Sequence, residues 1–420
     1  MSPFTPQPAE QLAETQALIP GLPNDVALQI LSMIPYSYHD RVKPTCKSWR
    51  AFLSARSLIP LRRHLRRASH LLCVFPQDPS ISSPYLFDPD NLAWRPIPPM
   101  PCNPYVYARC NFSTVALGPC LYVLGGSVFD SRSFPLDRPI ASSSAFRFDF
   151  ADFSWQALSP MSTPRGSFAC AAIPSSGQIL VAGGGSRHAV FRAAGSRLTS
   201  VERYDVGRNE WTVLEGLPGQ RAGSVGFVVG RKGEEEEKEF WVMGGYGQAR
   251  TLSGVFPVDD YYKDAVVMDV KGNGMSGKWR EVGEMGPAWG GDGARLGKIV
   301  VVEDEDGWSG RPGIFMLDNY EIFRYDMASN FWEKESSVPR KAHYNSIGFV
   351  VLDGELVVMM SLLKGGDLTE NRRSGQQKKA GTVLVQIYHP GKKTWRWLTT
   401  KPPFSCPLDF NIAVMCAIQL

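Results

Sequence analysis

The chain has 420 residues, 43% hydrophobic and 20% charged, with a formal net charge of +4. That balance excludes a disordered polymer, and so small a net charge gives no argument for nucleic acid. No apolar run approaches the ~20 residues of a membrane span, so a soluble cytoplasmic or nuclear protein is expected. The eight cysteines (46, 73, 102, 110, 120, 170, 406 and 416) contain no CxxC and read as reduced thiols.

Residues 1–17 are rich in Pro, Gln, Glu and Thr and are expected to be disordered. They lack the basic start and apolar core of a secretory signal. From Leu18 to Leu58 the pattern turns helical. Asn24 is placed as an N-cap and Asp25 in the first turn. Val26, Ile30, Met33 and Ile34 recur at helical spacing until Pro35. Pro44 fits the first position of another helix, on which Trp49, Phe52 and Leu53 share a face. A segment this short cannot bury a full core, so its apolar side chains need cover from elsewhere. Residues 59–69 read as a basic helical linker, with Arg62–Arg67 a solvated face.

Beyond residue 70 an aromatic residue followed by aspartate, with tryptophan six further on, recurs. It reads Phe87-Asp88…Trp94, Phe148-Asp149…Trp155, Tyr204-Asp205…Trp211 and Tyr325-Asp326…Trp332. Two copies are imperfect: His389 takes the aspartate slot before Trp395, and Met268-Asp269…Trp279 is stretched. A period of 53 to 68 residues between tryptophans means a repeat array. Gly125-Gly126, Gly183-Gly184 and Gly244-Gly245 each end an apolar strand upstream of a motif. Each unit reads as four short strands bounded by Gly, Pro, Asn and Ser. The first lacks its innermost strand, and Phe410–Leu420 is an apolar strand with no partner of its own. Joining the two closes a ring of six and covers an aggregation-prone edge.

The paired glycines with downstream Tyr-Asp and Trp resemble the kelch repeat over roughly Leu71–Leu420. That implies a mainly β fold: a six-bladed propeller over 70–420, closed by strand 410–420. The N-terminal segment resembles an F-box, through Leu22-Pro23, Asp25, Ile30-Leu31, Ile34-Pro35 and Cys46-Lys47-Ser48-Trp49. Thr45 and Pro44 depart from that pattern. Together the two resemble the F-box/kelch-repeat proteins of plants. The F-box implies binding to the Skp adaptor of SCF-type cullin–RING ubiquitin ligases. The implied adaptor-binding residues are Leu22, Pro23, Val26, Ile30, Leu31, Ile34, Pro35, Val42, Cys46 and Trp49. The chain would then be a non-catalytic substrate receptor.

Strand parity puts two loop sets on one face: those joining second to third strands, and those joining blades. These long loops are where a rigid scaffold carries function. They hold Arg132, Arg138, Arg187, His188, Arg192, Arg197, Tyr246, Arg250, Tyr261, Tyr262, Trp289, Trp308, Arg311, Arg340, His343 and Tyr344. Arginine and aromatic side chains dominate interface hot spots, so this face is expected to bind a protein partner with an acidic or phosphorylated segment. Arg165, Arg221 and Arg340 fall in interblade slots and read equally well as braces. There is no HExxH, P-loop or dinucleotide fingerprint, and no catalytic residue, metal or cofactor is expected. Glu303–Asp306 lacks the spacing of a calcium loop. The alternatives are a kelch scaffold with no ligase role, or a copper oxidase using His188 and His343.

Overall fold

Antiparallel pairing accounts for the chain from His70 onward. The computed structural model describes residues 17–77, 83–133, 139–186, 195–230, 237–252, 256–271, 274–286, 296–302, 312–341, 346–362, 381–403 and 407–420. Six four-stranded sheets lie among them. Blade one is Val414–Gln419, His70–Phe75, Tyr85–Asp88 and Ala93–Pro96, from the innermost strand outward. Blade two is Ser113–Leu117, Cys120–Leu124, Ala145–Asp149 and Ser154–Leu158. Blade three is Ala169–Ile173, Gln178–Ala182, Val201–Asp205 and Glu210–Leu214. Blade four is Val225–Gly230, Glu237–Met243, Asp264–Lys271 and Gly274–Glu284. Blade five is Lys298–Val302, Gly313–Asp318, Glu321–Asp326 and Phe331–Ser337. Blade six is Ile347–Leu352, Glu355–Leu362, Thr382–His389 and Thr394–Thr400. Each innermost strand touches the next all the way round, and that of blade six touches Val414–Gln419. The molecule is a closed six-bladed propeller preceded by helices.

The repeated motif has a physical cause. Its spacing places the aromatic residue directly opposite the tryptophan across the outer hairpin: Phe87 with Trp94, Phe148 with Trp155, Tyr204 with Trp211, Tyr325 with Trp332 and Tyr388 with Trp395. In blade four the hairpin is longer and carries register shifts, yet Met268 still faces Trp279. The aspartate closes the turn. Asp88 accepts from the amides of Asp90 and Asn91, Asp149 from Ala151, Asp205 from Arg208, and Asp326 from Ala328 and Ser329. His389 does the same work in blade six, its Nδ1 accepting from the Lys392 amide at 3.3 Å.

The indole N–H then reaches the preceding blade. Trp155 donates to the Pro98 carbonyl, Trp211 to Ser159 and Trp279 to Glu215. Trp332 donates to the Met285 sulfur and Trp395 to the Ser336 hydroxyl. Trp94 donates to Thr400 of blade six, so the same contact crosses the closure.

The paired glycines serve the other side of the blade. Gly183 and Gly184 have φ of +65° and +93°, a region that L side chains rarely adopt. A Cβ on Gly183 would collide with the Arg221 carbonyl, and one on Gly125 with that of Arg165. The Gly126 amide donates to the Arg165 carbonyl and the Gly184 amide to Arg221, each at 2.8 Å. The arginine side chains reach forward. Arg109 Nη1 donates to Gly125 O at 2.7 Å, Arg165 to Gly183 at 2.9 Å and Arg221 to Gly244 at 3.1 Å. Each of the three stands four residues before its blade's innermost strand. Arg340 stands seven before and is not equivalent; Arg109 is the third member of this set.

Ring closure uses six residue pairs, from His70 with Gln419 to Phe75 with Val414. Phe410, Ile418 and Leu420 are buried in the cores on either side. Deleting residues 410–420 is therefore expected to lower thermal stability and raise protease sensitivity throughout the propeller. A truncated chain that melts like the intact one would contradict closure as the source of stability.

Candidate functional site

The helical unit comprises α1 (Asn24–Ser32), a 3₁₀ turn at Tyr36–Tyr38, α2 (His39–Val42), α3 (Lys47–Leu53) and α4 (Leu58–His64). Two local expectations are corrected. Pro23, not Asn24, is the N-cap residue of α1, and Asn24 Oδ1 accepts from the Leu18 amide at 3.0 Å instead. The second predicted helix begins at Lys47, not Pro44, and the Trp49 amide donates to the Cys46 sulfur at its N-cap.

Leu18, Ala27 and Leu31 form a small core, packed by Ile34, Trp49 and Phe52 among others. Trp49 Nε1 donates to the Leu18 carbonyl at 2.7 Å. Pro35 and Val42 are half-buried. Leu31, Ile34 and Trp49 thus shape the unit from inside. Leu22, Val26, Ile30 and Met33 do not: they are 39%, 39%, 41% and 53% exposed. Val26 and Ile30 stand one turn apart on α1, with Leu22 just before its N-cap and Met33 at its C-cap, and together they form an exposed apolar stripe. Pro23 and Cys46 are also exposed. Met33 belongs to this stripe although its sequence pattern assigned it no binding role.

This unit is bound to the propeller at the end carrying the outer-hairpin turns. Tyr36 Oη donates to the Phe150 carbonyl at 2.8 Å, and Ser37 to Asp88 at 2.6 Å. Arg95 of blade one pairs with Asp40 and lies over the Tyr36 ring at 5.0 Å. Arg56 pairs with Asp152. The basic run is not simply a solvated face, because Arg62 is buried. Its guanidinium donates to the carbonyls of Ser32, Ile34, Arg67 and Leu420 and to the Ser69 hydroxyl. One side chain therefore ties α1, the linker and the closing strand together.

The loop face lies at the opposite end of the blades. Val106–Cys110, from the loop between blades one and two, pairs with Ser127–Asp130 from inside blade two, and Ile140–Ala141 extends this to three strands. A hairpin, Tyr246–Leu252 with Phe256–Tyr261, rises above blade four. The two loop sets thus share one face.

Several residues of the two loop sets hold this face together. Arg197 is buried, paired with Asp259 at 2.8 Å and over the Tyr246 ring at 4.6 Å. Arg221 binds both oxygens of Asp264 and lies over Tyr262 at 4.2 Å. Arg165 is enclosed with Glu202, which also accepts from the amides of Ser162 and Thr163. Tyr246 packs edge-on to Tyr261. Arg132 and Arg340 are exposed; the first pairs with Asp130 beside Tyr105, and the second covers Trp397 at 4.3 Å. Arg250 lies in the strand Tyr246–Leu252. Arg138, Arg187, His188, Arg192, Trp289, Trp308, Arg311, His343 and Tyr344 lie outside the described residues. Among the described residues no cluster of three His, Cys, Asp or Glu is placed to hold a metal, and no helix is long and apolar enough to cross a membrane.

The Kelch motif family model matches residues 108–162 and 166–218, the segments that build blades two and three. The F-box/kelch-repeat protein OR23 of Arabidopsis thaliana is 56% identical over 99% of this chain and 94% of its own length. The chain belongs to the F-box/kelch-repeat family. F-box/kelch-repeat proteins SKIP30 and At1g16250, also of Arabidopsis thaliana, are 29% and 28% identical, each over 48% of this chain. The match covers about half of their own lengths, 54% and 51%.

The seam between F-box and propeller contains a titratable group. His39 is fully buried, with Nε2 at 3.1 Å from the Ile34 carbonyl and Nδ1 without a partner. Burial, aided by the nearby charges of Arg62, Lys43 and Arg95, pulls its pKa down to about 3. The imidazole is neutral when folded, while the unfolded chain takes up a proton below about 6.5. Stability is complete above that pH and falls by up to about 1.4 kcal/mol per unit as pH drops toward 3. Melting from pH 7 to 5 should show a His39→Gln variant with a shallower decline than the native chain. Parallel declines would contradict a neutral His39.

Proposed function

We propose that the protein is a substrate receptor of an SCF-type ubiquitin ligase, binding the Skp adaptor through α1 and a protein partner through the loop face. The observation that carries this reading is the stripe Leu22, Val26, Ile30 and Met33. It is apolar, exposed and borne on a unit that the propeller anchors from behind. The F-box is therefore more than a cap, since a cap would turn these side chains inward. Its contacts fall at the turn end of blades one and two, leaving the loop face clear for a second protein. The chain acts by holding two proteins and not by its own chemistry, and it works in the cytoplasm or nucleus.

Replacing exposed members of the stripe removes binding surface without touching the small core. Val26→Asp with Ile30→Asp is expected to abolish co-purification with the Skp adaptor, at unchanged melting temperature. Truncation of an interface hot spot typically costs over ~2 kcal/mol, about thirtyfold in affinity. Adaptor binding that survives in this folded double variant would refute the assignment.

On the other face the proposed partner carries an acidic or phosphorylated segment. Arg187 and Arg192 fall in the sequence between the second and third strands of blade three, and Arg340 is an exposed cation ahead of blade six. Arg197 is left intact in the test because it holds Asp259. Charge reversal of Arg187, Arg192 and Arg340 should remove the proteins captured by the native chain while adaptor binding persists. Unchanged capture would move the partner site elsewhere.

A further inference from the structure

We propose that the mouth of the propeller channel is a binding site for a small planar aromatic molecule bearing an N–H or O–H donor. A cavity of about 580 Å³ opens there, on the loop face, between blades one, two, five and six. That volume lies within the range of small-molecule sites. Phe129 of blade two, Phe349 of blade six, and Ile412, Val414 and Met415 of the closing segment supply apolar walls. Two aromatic walls suit a flat ring, which stacks or meets them edge-on.

The donor requirement comes from Gln77. It follows the strand His70–Phe75 and lines this cavity, and its Oε1 is buried with no hydrogen-bond partner among the described residues. Buried polar groups are almost always paired, so an orphaned amide oxygen in a cavity wall selects a ligand that donates to it. Lys298 sets the sign of charge. Its ammonium reaches the Phe410 carbonyl at 2.8 Å and that of Ile347, which holds a cation at the cavity wall. An electron-rich ring is favoured beside it and a cationic ligand is not. This site does not depend on adaptor binding, because no residue lining it belongs to the helical unit.

The test uses the full-length protein and two probes, indole and benzofuran. They share one bicyclic shape, but benzofuran has a ring oxygen where indole has N–H. Titration by ligand-observed NMR is expected to show indole binding more tightly, on the order of tenfold, because benzofuran leaves Gln77 unpaired. Gln77→Leu should bring the two affinities together, and Ala413→Trp, which fills the cavity, should abolish both. Melting curves confirm that each variant is folded, and the Gln77→Leu comparison decides the matter if Ala413→Trp is not. Absence of indole binding, equal affinities in the native chain, a preference that survives Gln77→Leu, or binding that survives a folded Ala413→Trp would each overturn the site.

Discussion

The indole hydrogen bond from each blade to the one before it is the contact on which this molecule depends. The six blade sheets share no strand ladder with one another, so their relative placement rests on side chains and on isolated backbone bonds between the connecting loops. Here a tryptophan in every outer strand donates backward at 2.8 to 3.1 Å, and the bond from Trp94 to Thr400 joins the two ends of the array. The facing aromatic or methionine keeps the indole in place, and the turn aspartate fixes the register between them. On the inner side, arginine and the paired glycines repeat the linkage. The glycine amide binds the carbonyl of the arginine that follows its blade, and that arginine's guanidinium reaches the next glycine pair.

Closure by the C-terminal strand extends this dependence to the F-box. Arg62 contacts Leu420, the residue that follows the closing strand, and the Ser69 and Leu420 backbones pair in both directions. The helical unit therefore rests on blade two and on blade one, the blade assembled from both parts of the chain. Burial of His39 and Tyr36 in the same seam adds packing that a flexible linker would lack. F-box and propeller present their candidate surfaces at opposite ends of one connected body.

Much of this was legible in the sequence, for reasons that are local. Aromatic-Asp-x₅-Trp is readable because a tight turn dictates both the spacing and the acceptor, and His389 passes as aspartate because Nδ1 can accept the same bond. Stretched spacing before Trp279 was readable once the hairpin was allowed to lengthen. Blades five and six lack paired glycines, yet Trp332 and Trp395 sufficed to assign them. The failures are long-range. Nothing near Arg62 signals that it will be buried against residues distant in sequence, and nothing near Arg197 signals Asp259. Arg109 was hidden among strand residues of an added sheet. Asn24 satisfies capping rules but is recruited by Leu18, a choice made by tertiary packing.

The receptor reading requires that adaptor and partner occupy opposite ends of the molecule at once. Cryo-electron microscopy of the full-length chain with the Skp adaptor and cullin addresses this directly. The expected map has adaptor density on Leu22, Val26, Ile30 and Met33, the helical unit seated beneath blades one and two, and the loop face open toward the RING end of the assembly. Adaptor density over the loop face, or no stable complex with a folded chain, would contradict it.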